Sequence, residues 1–480
     1  MEAPAAQFKA IGQNKGMRRL LRFLRLFALV VIVGAVGLWV AVTFFDVTFE
    51  LDGTGVTPII TAYDPEAHID ALERERQQEP QETERAVLAV SETGGGAYWT
   101  DYRGPRRDGR YDEQALRANW PEDGPPEVWR TKVGGGYASV VAANGRLFTI
   151  EQRRDQEVLA AYDLHSGRQL WEHSWPGLFQ EAMGGDGPRS TPTWHDGVVY
   201  ALGAEGELRA LRAENGELIW KTNILDDAGA ANVQWGMAGS PLVVDGKVIV
   251  QPGGRSGRSV AAYDAASGKV VWRALNDKAG YASPVLAEIA GQRQILFFTG
   301  ERLLGVDPDD GRLLWDYAWK TSYDINSAQP LVVDESHVFI SSGYGHGAAL
   351  LKIVRAGDDF RVERVWENNT MKNKFNSSVL HEGHVYGLDE GILASIDVWT
   401  GERDWKGGRY GFGQLIGAGD RLIVLTEQGE VVLVEATPEE HRELARFQAL
   451  EGKTWNNPAI ADGLLIVRNQ TEMAAYDLRL

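Results

Sequence analysis

The chain has 480 residues, 67 Asp and Glu against 49 Lys and Arg, a formal net charge of −18, and no cysteine. The acidic balance speaks against nucleic acid, whose phosphates need a basic face. Without cysteine there are no disulfides, thiolate nucleophiles, Cys-ligated zinc, iron–sulfur clusters or CxxCH haem attachment, and 16 Trp with 55 Gly is not the composition of a disordered chain.

Residues 1–25 form a basic tail in which Lys9, Lys15, Arg18, Arg19, Arg22 and Arg25 face a single acid, Glu2. Residues 26–45 (LFALVVIVGAVGLWVAVTFF) then run without a charge. As a helix rising about 1.5 Å per residue this segment is roughly 30 Å long, the thickness of a bilayer core. The positive-inside rule puts the N-terminus in the cytoplasm and everything after Asp46 outside. The expectation is a single-pass anchor in a bacterial inner membrane, with the remainder in the periplasm. A cleaved signal peptide is the rival, with an apolar run normally of about 7–15 residues before a small-residue site. Here the run is longer and ends in Thr43-Phe44-Phe45-Asp46, a poor cleavage site, and Ala35-x-Gly37 is a weak one. The Arg18-Arg19 pair is of a kind that basic flanks produce by chance. An uncleaved anchor is the reading adopted.

Residues 46–63 alternate apolar and polar side chains and predict a short membrane-proximal strand pair. Residues 65–78 open with Pro65 at the first helical position and continue in good helix formers, which predicts a surface helix. From 79 to 96 the composition is polar and then Gly-rich, a flexible linker. Residues 46–97 are therefore expected to be a stalk that sets the body some distance from the membrane. A lead-in follows over 98–126, and the body occupies 127–480.

The body repeats itself. A strand ending in an Asp-containing turn, then Gly and Trp, recurs at 160–171 (AAYDLHSGRQLW), 210–220, 261–272, 305–315 and 395–405, with a degenerate copy at 352–366. Between these copies lie hairpins split by Asp-Gly, Asn-Gly or similar turns, eight in all, the first starting at Ser139 and the last at Pro458. Alternating apolar runs around such turns are antiparallel strands, and four strands per unit of about 40–50 residues belong to β-propellers. The 352 residues from 129 to 480 give 44 for each of eight units. The last unit lacks its Trp-bearing strand, and the stray strand at 127–133, with Trp129, supplies it. The seventh holds Phe447 where a Trp is expected. The fold class is thus all-β, an eight-bladed propeller behind an N-terminal transmembrane helix. Gly in each turn supplies a positive φ, and the Trp plates are expected to pack between blades.

This repeat resembles the quinoprotein-type repeat, A-x-D-x-x-T-G-x-x-x-W, found in dehydrogenases that use pyrroloquinoline quinone (PQQ). It occurs also in non-enzymatic relatives, among them the propeller lipoprotein of the outer-membrane β-barrel assembly machinery. The segment Tyr98-Trp99-Thr100-Asp101-Tyr102-Arg103-Gly104-Pro105 continuing to Gly109 is similar to the W-x-x-F-R-G-P-x-R-D-G lead-in of PQQ-like propellers. The resemblance specifies a fold, and fold alone does not fix function. In the dehydrogenases it implies PQQ stacked between a Trp and a vicinal disulfide, beside a calcium with carboxylate and Asn ligands, and an Asp base. This chain has no such disulfide.

Any equivalent site must come from residues just ahead of each hairpin, where inner strands reach the central channel. These are Arg189, Gln234, Trp235, Tyr281, Asp324, Asn326, Asn376, Gln414, Trp455 and Asn456. Asp324 and Asn326 are candidate oxygen ligands for calcium, with Asp324 also the candidate base. Trp235 or Trp455 would stack on a planar ring, and Arg189 would meet a carboxylate bidentately. Otherwise such residues simply solvate a polar channel. His381-Glu-Gly-His384 sits in a hairpin turn and lacks the spacing of a helical zinc site, and Gly253-Gly-Arg-Ser-Gly lacks the GK[ST] of a P-loop.

Two functions follow as expectations. The first is a non-catalytic scaffold without cofactor, whose acidic rim or channel engages an envelope protein. The alternative is a PQQ-dependent dehydrogenase of an alcohol or sugar that passes electrons to the membrane. Convergence of Asp324, Asn326, Asn376, Trp235 and Arg189 on one cavity of a few hundred Å³ favours the enzyme, and scatter around a wide channel favours the scaffold.

Overall fold

A computed structural model describes residues 14–44, 47–51, 58–62, 64–78, 96, 98–181 and 184–480. Most of the basic tail and nearly all of the expected linker lie outside the described residues. Helix α1 covers Asn14–Phe44 and takes in the expected span as far as Phe44. Large apolar side chains between Leu20 and Val33, among them Phe23, Phe27 and Ile32, are exposed. Among the described residues no helix is long and apolar enough to cross a membrane, so the expected transmembrane helix is not supported by the structure. Strands β1 (Val47–Leu51) and β2 (Pro58–Ala62) pair antiparallel, with Val47 opposite Ala62.

Helix α2, Pro65–Gln78, does not stand free as part of a stalk. It lies against the propeller, with Ile69 and Leu72 buried. A helix this polar has little reason to fold alone, and a two-residue apolar stripe with flanking ion pairs holds it to the surface.

The body is an eight-bladed β-propeller. Seven blades are four-stranded antiparallel meanders, and blade 7 gains a fifth, parallel strand, β3 (Arg110–Tyr111), beside the innermost strand Gln414–Ala418. Blade 8 is completed by β4 (Glu127–Lys132), which pairs antiparallel with Glu472–Asp477 and sets Trp129 opposite Ala475. The two ends of the body thus share one sheet, and blade 8 is not left as an incomplete three-stranded sheet where the ring closes.

The repeated Gly and Trp are two halves of one contact. The indole of Trp129 lies on Gly167, where an added Cβ would come within 2.4 Å of the ring, and that of Trp220 lies on Gly268 at 2.6 Å. Both glycines have φ of 68°, so the turn needs glycine for backbone shape and for room. These indole N–H groups also reach into the next blade's turn, Trp129 Nε1 to Leu164 O at 2.9 Å and Trp220 Nε1 to Ala265 O at 2.8 Å, whereas Trp315 Nε1 donates to Gln294 of its own blade. Phe447 in blade 7 keeps the same seat by packing on Gly124.

The lead-in crosses the end of the central channel. Ala142 N–H donates to Trp99 O and Trp194 N–H to Thr100 O, which joins blades 1 and 2. Arg107 donates to Ser240 O and Pro241 O at blade 3 and to Pro284 O at blade 4. Arg103 donates to Ser377 O and Ser378 O at blade 6, and more weakly to Leu415 O at blade 7. Trp99, Arg103 and Arg107 are all buried. The guanidinium fork suits this task because inner strands present carbonyls with no neighbouring strand on the channel side.

Two buried glutamates on adjacent strands of blade 1 titrate in opposite directions. Burial raises the Glu157 pKa above its ordinary 4.5, despite hydrogen bonds from Trp175 Nε1 at 2.8 Å and Ala204 N at 2.7 Å. Burial acts on Glu151 too, but Arg153 and Arg468 beside it, with hydrogen bonds from Tyr162 and Gly134 N–H, hold it below the ordinary value. A raised carboxyl stabilises the fold below its unfolded pKa and loses that contribution as pH rises through the folded one; a depressed carboxyl does the reverse. Glu157→Gln is therefore expected to flatten the fall in stability above pH 4.5, and Glu151→Gln to flatten the fall on acidification. Urea midpoints against pH check both, and a variant slope equal to the wild-type slope contradicts the assignment.

Candidate functional site

The loop from the outer strand of one blade to the inner strand of the next carries side chains into the middle of the ring. Closure of the far end by the lead-in turns the channel into a cavity of about 480 Å³, with Tyr102 in its lining. Asn457 Nδ2 holds the Tyr102 hydroxyl at 2.9 Å. The mouth lies on the opposite face, among loops that include Tyr323, Tyr344 and Lys374.

The walls are aromatic. Trp455 packs between Tyr137 and Phe375, with ring centroids 5.1 and 4.7 Å away, and its Nε1 donates to Glu427 at 2.9 Å. Trp235 meets the edge of Tyr281 at 5.9 Å. Two cations reach the lining. Arg189 lies over Phe179 at 4.6 Å and donates to the carbonyls of Gly185 and Gly187, and burial lowers its pKa. Lys374 Nζ sits 4.9 Å from the Tyr344 ring and 4.8 Å from Phe412. Among the described residues no Asp, Glu or His lines the cavity. Burial pushes the Tyr281 and Tyr344 hydroxyls up to about 12 and raises Tyr102 as well, so these phenols stay protonated at neutral pH and do not act as bases. Of the acidic rim or channel expected from net charge, the cavity lining itself carries no acid among the described residues, although Glu427 bonds Trp455 and Glu181 bonds Gly184 behind it.

Of the ten residues expected at the channel, Arg189, Gln234, Trp235, Tyr281, Gln414 and Trp455 line this cavity. The other four do not. Asp324 is turned to Lys278, 2.6 Å away. Asn326 is buried, with Nδ2 on Thr299 O and Trp319 O and with Oδ1 accepting from Ser342. Asn376 accepts from Asn373 at 3.2 Å, and Asn456 donates to Ala138 O and Gly136 O. Stacking and cationic members therefore converge, whereas the proposed oxygen ligands are spent on structure.

The residues do not fit a calcium-held quinone. Calcium wants about 6–8 oxygen ligands, carboxylates among them, and among the described residues the lining offers no carboxylate. Among the described residues no cluster of three or more His, Asp or Glu is placed to hold a metal. Sequence reasoning missed Tyr102, Tyr137, Tyr344, Lys374, Phe375 and Asn457. Tyr137 was legible, because Tyr137-Ala-Ser139 stands in the same frame as Tyr281-Ala-Ser283. Tyr102 and Tyr344 come from the lead-in and from a loop between second and third strands, and no repeat position announces them.

The sequence family PQQ_2, described as outer membrane protein assembly factor BamB, matches residues 84–238 and 154–407, well over half of the chain. The quinone alcohol dehydrogenase subunit of Gluconacetobacter polyoxogenes is 30% identical over 123 residues, 24% of this chain and only 17% of that protein. Outer membrane protein assembly factor BamB of Yersinia pestis is 23% identical over 280 residues, 53% of this chain and 67% of that one. In structure, BamB of Moraxella catarrhalis superposes with a TM-score of 0.54 at 16% identity, covering 73% of this chain and 97% of that chain, a likeness of fold.

Proposed function

This chain belongs to the PQQ_2 family, described as outer membrane protein assembly factor BamB, and from that premise we propose that it is a membrane-anchored, periplasm-facing binding module without catalytic chemistry. The observation that carries this reading is the cavity lining, which joins eight aromatic rings to Arg189 and Lys374 and contains no Asp, Glu or His among the described residues. Such walls bind an apolar or aromatic group and an anion together, as on an acidic, aromatic-bearing segment of an envelope protein. The basic tail and the exposed apolar side chains of α1 support anchoring in the inner membrane. PQQ-dependent oxidation of an alcohol or sugar is the alternative, favoured by the stacking walls and opposed by the missing oxygen ligands.

The test titrates the purified full chain with PQQ, with calcium or with EDTA, beside an Asp324→Ala variant. No calcium-dependent binding and no reduction of a dye by alcohols is expected. Saturable PQQ binding that needs calcium and Asp324 would replace the scaffold with a quinoprotein. In the same protein, a photoreactive group at Tyr344 is expected to link to one envelope protein. Arg189→Gln with Lys374→Gln should weaken that contact roughly tenfold to hundredfold, the value of charge-assisted hydrogen bonds. Linking that is indifferent to both cations would move the binding site elsewhere.

A further inference from the structure

The docking of α2 fixes more than the helix. Arg154 Nε lies 3.3 Å from Glu66 and its Nη2 lies 2.6 Å from Asp70, with Glu73 completing the cluster. Lys132 pairs with Glu75. Arg76 donates to Lys132 O at 2.7 Å and Thr131 Oγ1 at 3.1 Å, and His68 Nε2 bonds Val133 O at 2.9 Å. Each exposed pair is weak alone, but the set surrounds the buried Ile69 and Leu72 and gives the helix one seat.

That seat is on the cavity-bearing face. Arg154 is in the loop between the second and third strands of blade 1, and the equivalent loop of blade 5 brings Tyr344 to the mouth. Val133 leads into the loop that carries Tyr137 into the wall. The lead-in sits at the opposite end, beside the first turn of blades 7 and 8, where Arg110 reaches Gly419 O and Glu113 accepts from Asp462 N.

The connection to α1 is short. Because Val47 pairs with Ala62, the β1–β2 hairpin returns the chain to its starting point and adds almost no reach. Three residues on either side of it give at most about 25 Å between Phe44 and Pro65. The eight-residue strand Arg146–Arg153 is itself about 25 Å long, so a cavity face turned away from the membrane would exhaust that reach before the end turns are counted. We infer that α2 clamps the propeller with its cavity mouth toward the bilayer, so that the occupant is taken from the gap between propeller and membrane. This rests on the anchored reading of α1.

The absence of cysteine makes the test direct, since one introduced thiol is the only label site. The full chain is reconstituted in vesicles of phosphatidylethanolamine and phosphatidylglycerol that carry an acceptor lipid. A donor is placed at Lys320→Cys on the mouth face or at Glu335→Cys on the opposite face. Energy transfer is expected to be several-fold stronger from Lys320→Cys. Reversing the clamp with Lys132→Glu and Arg154→Glu, both partly exposed, should level the two signals while thermal unfolding stays near wild type. Equal transfer from both faces in the unaltered clamp overturns the orientation while leaving the anchor in place. A chain that does not float with vesicles overturns the anchor, and the orientation with it. A difference that survives clamp reversal shows that α2 does not set the orientation.

Discussion

Arg107→Leu is expected to lower the unfolding free energy by about 3–5 kcal/mol, the cost of breaking a buried ion pair by removing one partner. The guanidinium is nearly inaccessible and meets Asp101 at 2.9 Å, Thr193 Oγ1 at 3.1 Å and Pro284 O at 2.9 Å. Leucine would leave the Asp101 carboxylate unpaired and several inner-strand carbonyls without donors, at the bottom of a channel that water reaches poorly. Arg107→Lys keeps the charge but loses the fork, so it should fall between wild type and leucine. Denaturant midpoints give the comparison, with constant m showing that stability alone has changed. A loss of less than about 1 kcal/mol would make the lead-in a surface strap instead of a structural floor.

The second large effect falls where the ring closes. Trp129→Ala should cost about 3–5 kcal/mol, as for other buried Trp truncations. It removes the plate between blades 8 and 1 and orphans the Leu164 carbonyl. Trp129→Phe retains most of the plate and should lose nearer the about 1–3 kcal/mol of an unsatisfied buried acceptor. The control is Trp399, which is 46% exposed against 7% for Trp129; Trp399→Ala is expected to stay within about 0.5 kcal/mol of wild type. Equal losses at the two positions would show that closure does not depend on this contact.

Closure was legible before any coordinates because it is a matter of counting. Eight hairpins, one missing Trp strand at the end and one spare at 127–133 leave a single way to complete the ring. The Trp and Gly periodicity was equally open to reading, but not the fact that they form one contact: Gly167 and Trp129 are far apart in the repeat frame and meet only because the blades are wound side by side. At the site, Arg189, Gln234, Trp235, Tyr281, Gln414 and Trp455 were picked out ahead of the hairpins and line one cavity, whereas Tyr137, Lys374 and Phe375 in loops of the same kind were missed. Asp324, Asn326, Asn376 and Asn456 also stand ahead of hairpins, yet Asp324 turns to Lys278 and Asn326, Asn376 and Asn456 each bond local groups instead of lining the cavity. Composition cannot distinguish a side chain that faces a cavity from one that ties a loop.

The sequence by itself determined the class, the blade number, the ring closure and the polarity of the flanks around the apolar segment, because all of these follow from periodicity and local charge. Only the tertiary structure decided that the lead-in closes the channel, that the cavity is aromatic and cationic in an acidic chain, and that α2 packs against the propeller. Those three depend on Arg103, Arg107 and Arg154 reaching groups that are remote in sequence. Long-range partners of single side chains carry no periodic signal; the closed ring brings them together, and burial selects which pairs persist.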